Sequence, residues 1–284
     1  MTGTNIPHKE NSVSFPYALC SEVFKTPIEE TIRAVAALGF QGIEIAPFTI
    51  EPDVNDISDG RRREIRRVAE GEGIQIIGLH WLLVSPEGLH LTSPDAGVRE
   101  RTTEYLQSLA RFCADLGGQV MVLGSPKQRN IPEGESATEA RARAIGTLAG
   151  AADVCGRCGV HLLLEALHPN ETNFLQTIED VLVVIEKIDH PNVGFMLDCK
   201  AMSGMPRGII GTIEQYGATA GHFHANDPSG AGPGMGNLEF GPVLEALRSS
   251  GYEGWVSSEP FQYEPDSETV ARTALETLKR AEGD

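Results

Sequence analysis

Basic residues are the scarce charge class in this chain. Only 23 Lys and Arg stand against 40 Asp and Glu in 284 residues, a formal net charge of -17. A surface of that sign repels phosphate, which excludes nucleic acid and anionic membrane as main partners. The one basic run, RRREIRR from Arg61 to Arg67, has helical spacing and reads as a solvated helix face. Long apolar runs are missing too, so no membrane-spanning segment is expected, and the polar opening MTGTNIPHKENS lacks the apolar core of an export signal. A cytoplasmic location follows as the expectation. Cysteine is sparse: five residues, an odd number without an export signal, give no disulfide framework. Cys155 and Cys158 form a C-x-x-C, but no second pair accompanies them for zinc and no strand precedes them. Core packing is the better reading.

What the sequence has in quantity is alternation. Eight β-rich runs, SVSFPYALC (12–20), QGIEIAP (41–47), IQIIGLHWLL (74–83), QVMVLGSP (119–126), VHLLLEAL (160–167), VGFMLDC (193–199), AGHFHAND (220–227) and GWVSSEP (254–260), are separated by helical stretches. TPIEETIRAVAALGF reads as a helix with Thr26 as N-cap, Pro27 at its first position and Gly39 as its stop. Residues 95–118, 177–189, 240–252 and 267–281 repeat the spacing of three and four between apolar positions. Strands alternating with helices imply parallel pairing through right-handed crossovers, and eight such units make an α/β fold of the single (β/α)8 TIM-barrel type. The rival, an open doubly wound sheet, would carry G-x-G-x-x-G after its first strand; ALCSEVFKTP has none. No Pro- or Gly-rich linker divides the chain. One catalytic domain is expected over residues 12–284, preceded by a tail of residues 1–11.

The run HLLLEALHP (161–169) poses a chemical question, because a strand that reads as buried on both faces carries Glu165 in its middle. In such a barrel the site is built where strands end and βα loops begin, and the inward residues there are Glu44, His80, Glu165, Asp198, His224 and Glu259. The last four fall on strands five to eight, one βα unit apart. Neighbouring strands lie about 4.8 Å apart, so the four tips can converge on one point. Three carboxylates brought together repel one another and rise in pKa, and a divalent cation is the simplest device that keeps them ionised. Three carboxylate oxygens and one imidazole, without a thiolate, suit Mn2+ best, with Mg2+, Co2+ and Zn2+ as alternatives. Any one of these residues alone reads as a buried polar group with a local partner. Four in matching positions carry too high a desolvation cost for that reading.

The segment GHFHANDPSGAGPGMGNLEFGPVLEALRSSGYEGWVSSEPF (221–261), with LDCKAM (197–202) and the LEA of strand five, resembles the xylose-isomerase-like barrel superfamily of sugar phosphate isomerases and epimerases. That superfamily includes D-tagatose and D-psicose 3-epimerases, hydroxypyruvate isomerase and endonuclease IV. The likeness covers essentially the whole barrel and is strongest from Gly159 to Phe261. It implies that Glu165, Asp198, His224 and Glu259 hold one divalent metal. It also implies that Glu165 and Glu259 are the catalytic bases, one on each face of the sugar; His222, the other histidine of the motif, and Glu44, from its place at a strand end, are expected as supporting groups. The activity implied is isomerisation or epimerisation of a sugar or sugar derivative, by proton abstraction alpha to a carbonyl through a cis-enediolate. Two bases on opposite faces give epimerisation; one base returning the proton to the neighbouring carbon gives isomerisation. Ketose 3-epimerases usually carry a sugar-binding His three residues after the Asp and a sugar-binding Arg six after the metal His. Ala201 and Gly230 stand there instead, which argues against free tagatose or psicose.

Substrate contacts are expected from groups particular to this chain: His80, Lys127 and Arg129 in SPKQR, Asn173, Lys200, Asn226 and Asp227. The two cations of SPKQR are suited to a carboxylate or phosphate. The Gly-rich DPSGAGPGMGN (227–237) reads as a loosely packed lid over the site. A small sugar-like molecule is the partner, and association of further copies of the chain is left open. Three rivals remain. A lyase or dehydratase acting on a keto-sugar or keto-cyclitol begins with the same proton abstraction. An endonuclease-IV-like phosphodiesterase needs more strand-end histidines and a basic surface. A non-catalytic sugar-binding subunit would be expected to have lost a ligand, and all four are present.

Overall fold

The structure is a computed structural model, and it describes residues 14–283. The tail expected over residues 1–11 and the expected start of strand one at Ser12 lie outside the described residues. Eight strands, β1 (Tyr17–Cys20), β2 (Gly42–Ile45), β3 (Gln75–Leu79), β4 (Val120–Leu123), β5 (His161–Glu165), β6 (Val193–Asp198), β7 (Phe223–Ala225) and β8 (Val256–Ser258), close a barrel in chain order. Every pairing is parallel, and β1 returns to β8 with Ala18 opposite Ser257. This is the (β/α)8 barrel that the alternation predicts.

The outer layer consists of α1 (Ile28–Leu38), α2 (Asp59–Glu72), α3 (Ala96–Leu116), α4 (Ala137–Cys158), α5 (Ile178–Ile188), α6 (Cys199–Ser203), α7 (Gly208–Tyr216), α8 (Phe240–Ser250) and α9 (Ser267–Glu282). The Arg61–Arg67 run lies on α2, with ion pairs from Arg61, Arg62 and Arg66 to surface carboxylates. All five cysteines are free, and Cys155 packs in the core. Among the described residues no helix is long and apolar enough to cross a membrane.

Side-chain alternation along each strand sets up the site. Leu162 and Leu164 belong to the large apolar cluster between strands and helices, whereas Leu163 joins Val122 and Met196 in the small cluster enclosed by the barrel. Two residues further on, the parity that sends Leu163 inward sends Glu165 inward as well, at the mouth. The same step leads from Met196 to Asp198.

Two expectations need correction. Helix α1 begins at Ile28, with Pro27 as its N-cap and no side-chain cap bond, so Thr26 does not cap it. Thr26 Oγ1 lies instead 2.9 Å from Thr31 Oγ1. Several strands are shorter than their apolar runs suggest, because the run continues into the βα loop. His80 and Glu259 each stand one residue past their strands, where the chain is free to turn over the mouth.

Candidate active site

The ligand-type atoms of Glu165, Asp198, His224 and Glu259 all lie within 4.8 Å of one another, and all four residues are buried. His224 Nδ1 is 2.9 Å from Glu259 Oε2 but is not aligned for a hydrogen bond, so it is a buried nitrogen without a hydrogen-bond partner among the described residues. Asp198 is fixed by Ala201 N, which donates to Oδ1 at 2.7 Å, and by Asn226 Nδ2, which donates to Oδ2 at 2.6 Å. An orphaned imidazole nitrogen beside three convergent carboxylates fits a hard divalent cation.

Behind this group runs a chain of alternating acids and imidazoles. His222 Nε2 lies 2.8 Å from Glu44 Oε2, and Glu44 Oε2 lies 3.2 Å from His224 Nε2. From His224 the contact passes to Glu259, then to His80 Nδ1 at 3.2 Å from Glu259 Oε1, and from His80 Nε2 to Glu22 Oε2 at 2.9 Å. Glu44, wholly enclosed, engages the ring nitrogen of His224 opposite the one that faces the cluster, and so fixes that ring's orientation.

The electrostatics divide the two glutamates. Burial, then the charges of Glu259 and Asp198, push the Glu165 carboxyl well above the usual carboxylate range. Burial and Glu259 likewise push Asp198 up to about 6. Burial also works against the charge on Glu259, yet His224 and His80 hold it down at about 2. For His224 burial opposes the charge, but Glu259 and Glu44 raise its pKa well above the ordinary histidine value.

Residues 32–281 match the family described as xylose isomerase-like TIM barrel. The chain belongs to that family. It is 28% identical over 249 residues to the D-psicose 3-epimerase of Ruminiclostridium cellulolyticum, covering 86% of this chain and 82% of that protein. A putative hydroxypyruvate isomerase of Streptomyces coelicolor is 27% identical, with 87% of this chain and 89% of that one covered. Among solved structures, the D-psicose 3-epimerase of Clostridium cellulolyticum H10 with D-tagatose superposes with a TM-score of 0.83 at 23% identity, over 95% of this chain and 99% of that one. The resemblance read from the sequence is thereby borne out.

This member of the xylose isomerase-like family distributes its remaining expected site residues unevenly. His80 and Lys200 line the cavity over the cluster, together with Trp81, Glu171 and Phe261. Lys200 pairs with Glu171, and its Nζ lies 5.0 Å from the centre of the Phe261 ring. Lys127 is exposed and does not line that cavity. Arg129 is fully buried, and its guanidinium donates to the backbone carbonyls of Glu165 (2.5 Å) and Leu123. It ties the ends of β4 and β5 together and has no exposed face for a substrate anion. Asn173 bridges loops through Ile131, accepting from its N–H at 2.7 Å and donating to its carbonyl at 3.1 Å. Asn226 spends both ends on Asp198 and the Lys200 backbone N–H.

Asp227 accepts from Ser229, Asn237 and Leu238 N–H groups, which pins the Gly-rich segment into a fixed loop rather than a loose lid. A side chain at Gly236 would overlap the Asp227 carboxylate, so this fold of the loop requires a glycine there. Among the polar groups of the site, Glu22 and Glu171 carry no signal that the sequence analysis used. Glu22 was detectable in principle, because it continues the inward parity of Ala18 and Cys20.

Proposed function

We propose that the chain is a divalent-metal-dependent isomerase or epimerase of a sugar or sugar derivative, working by proton transfer alpha to a carbonyl. The observation that carries this reading is the buried convergence of Glu165, Asp198, His224 and Glu259. These four would hold the ion, with Mn2+ the best match to the donor set. Bound there, a divalent ion would polarise the substrate carbonyl and make the adjacent C–H acidic.

The protein's own groups divide the remaining work. Glu165 is the proton carrier: giving one carboxylate oxygen to the ion leaves the other free to take a proton, and the carboxylate faces the cavity. Glu259, one residue past β8, is held between two imidazoles and is the second carboxylate beside Glu165. Lys200, Glu171 and His80 offer hydrogen bonds to substrate oxygens from the cavity wall, while Trp81 and Phe261 supply apolar wall that excludes water. Epimerisation requires both glutamates to exchange protons with carbon, and isomerisation requires one. The names of the relatives, psicose epimerase and hydroxypyruvate isomerase, support carbohydrate chemistry without choosing between these outcomes.

The test is deuterium incorporation from D2O into a panel of ketoses, ketoglycosides and keto-acids, with and without Mn2+. The reading requires incorporation that depends on both the ion and Glu165. A protein that binds Mn2+ but exchanges no proton in any carbonyl sugar would overturn it.

A further inference from the structure

The mouth of the barrel has two halves, and the cluster accounts for only one of them. Strands β5 to β8 supply the four convergent side chains. The loops after β8, β1, β2 and β3 wall a second cavity of about 730 Å³, within the usual range for small-molecule sites. Its walls are mostly aromatic, Phe24, Phe48, Trp81 and Tyr263 with Pro27 and Val84, and its polar lining is Glu22, Thr26, Thr49 and Lys25, whose Nζ lies 5.7 Å from the centre of the Tyr263 ring. Phe48 and Val84 are 39% and 36% exposed, two of the four large hydrophobic side chains exposed to that degree among the described residues. A concave site lined mainly by apolar and aromatic side chains with a few polar groups is the usual form of a small-molecule site.

Trp81 joins the two halves, since it lines both cavities. It is held edge-on to Phe261, with ring centres 6.2 Å apart, and its backbone adopts a left-handed φ of 53°. That conformation is costly for a bulky residue and is maintained where it places a functional side chain. The indole Nε1–H is buried and has no partner among the described residues, so a donor is available at the junction. Beside it, Glu22 lines the second cavity with its side chain only 9% exposed, and reaches the Glu259 side of the cluster through His80. The junction therefore offers one polar donor and one carboxylate, and beyond it the walls are aromatic apart from Lys25, Thr26 and Thr49.

We propose that this aromatic cleft is the second half of the substrate site and holds a flat apolar substituent, such as an aryl aglycone, on the sugar that meets the cluster. The proposal rests on the sugar reading of the cluster. A free hexose or pentose can lay one C–H face on a single ring but cannot fill a cleft of about 730 Å³ walled by several rings. A sugar joined to an aromatic ring matches both halves, with hydroxyls toward Lys200, Glu171 and Glu22 and the ring between Phe48, Trp81 and Tyr263.

The test is calorimetric titration of the Mn2+-loaded protein with phenyl glucoside, methyl glucoside and cellobiose, which report binding without turnover. Phenyl glucoside is expected to bind at least about tenfold more tightly than methyl glucoside, the gain from burying a ring against aromatic walls. Cellobiose is expected to resemble methyl glucoside. In Phe48→Ala, a change at an exposed position, the phenyl-to-methyl ratio should collapse toward one. Equal affinities for phenyl and methyl glucoside, or cellobiose matching phenyl glucoside, would overturn the assignment, as would a Phe48→Ala effect equal on all three ligands. Failure of the catalytic reading is distinguishable. A phenyl preference without metal-dependent proton exchange in any ketoglycoside leaves the cleft standing and removes the chemistry, whereas exchange without the preference does the reverse.

Discussion

Gly124, one residue past β4, lies directly against the Glu165 carboxylate of β5, so closely that a Cβ at position 124 would overlap Glu165 Oε2. The atom in conflict is the far end of a side chain, not backbone. Gly124→Ala is therefore expected to displace the carboxylate while leaving the barrel folded. The measurement is paired: Mn2+ affinity should fall by about tenfold or more, in the range seen when a group that orients a metal ligand is disturbed, while the melting temperature of the metal-free protein changes little. An unaltered Mn2+ affinity would show that Glu165 does not need its present position to bind the ion.

Glu44 makes no contact with the cavity, yet it engages both His222 and His224. Glu44→Gln keeps the volume and one acceptor but removes the charge. Mn2+ affinity should drop about 10- to 100-fold, because the far nitrogen of His224 loses its charged acceptor. Glu44→Ala should also cost about 3–5 kcal/mol of stability, the usual result of removing one partner from a buried charged pair. Denaturant unfolding and metal titration separate the two effects. A glutamine variant with normal metal affinity would reduce Glu44 to a packing role.

The fold and the four-residue cluster were legible because both rest on periodicity. Leu163 and Glu165 share a face by the two-residue repeat of a strand, and the spacing of one βα unit brings Asp198, His224 and Glu259 to the same end of the barrel. Loop residues carry no such rule. Arg129 and Lys127 are two positions apart in one loop, but one is enclosed and the other exposed. Nothing in SPKQR indicates that an arginine there turns inward onto two strand-end carbonyls. Asp227 is equally hard to read, since its partners are backbone N–H groups ten and eleven residues later. Glu22 was missed for a different reason: β1 ends at Cys20, and the inward parity persists into a helical turn where strand reasoning stops.

Metal binding should strengthen as pH rises through 6. Asp198 is displaced upward to about 6, Glu165 is displaced in the same direction, and Glu259 and Glu44 raise His224 against the effect of burial. For an acid whose folded pKa lies above its unfolded value, the stability contributed is complete below the unfolded pKa, about 4 for Asp, and is lost as pH climbs through the folded pKa. The metal-free protein thus loses this contribution between about pH 4 and 6, and a cation must displace the same protons to bind. The rise in melting temperature on adding Mn2+ should be small at pH 5 and large at pH 8. A gain that stays constant across that range would mean that the cluster sheds no protons when the ion binds.

Arg129 offers a direct contrast between a structural and a substrate-binding role. Its guanidinium bridges the carbonyls of Leu123 and Glu165, and the carbonyl of Glu165 belongs to the residue whose side chain enters the cluster. Lysine cannot span two carbonyls as the planar fork does, so both Arg129→Lys and Arg129→Met should leave buried carbonyl oxygens unsatisfied, at about 1–3 kcal/mol each. The loss should appear in urea unfolding, and turnover should fall with it because the end of β5 is no longer fixed. Neutralising Lys127, which is exposed and off the cavity, should change neither. The opposite pattern for Arg129, unchanged stability with a KM that rises only for anionic substrates, would restore it to substrate recognition and require the side chain to leave the position it holds here.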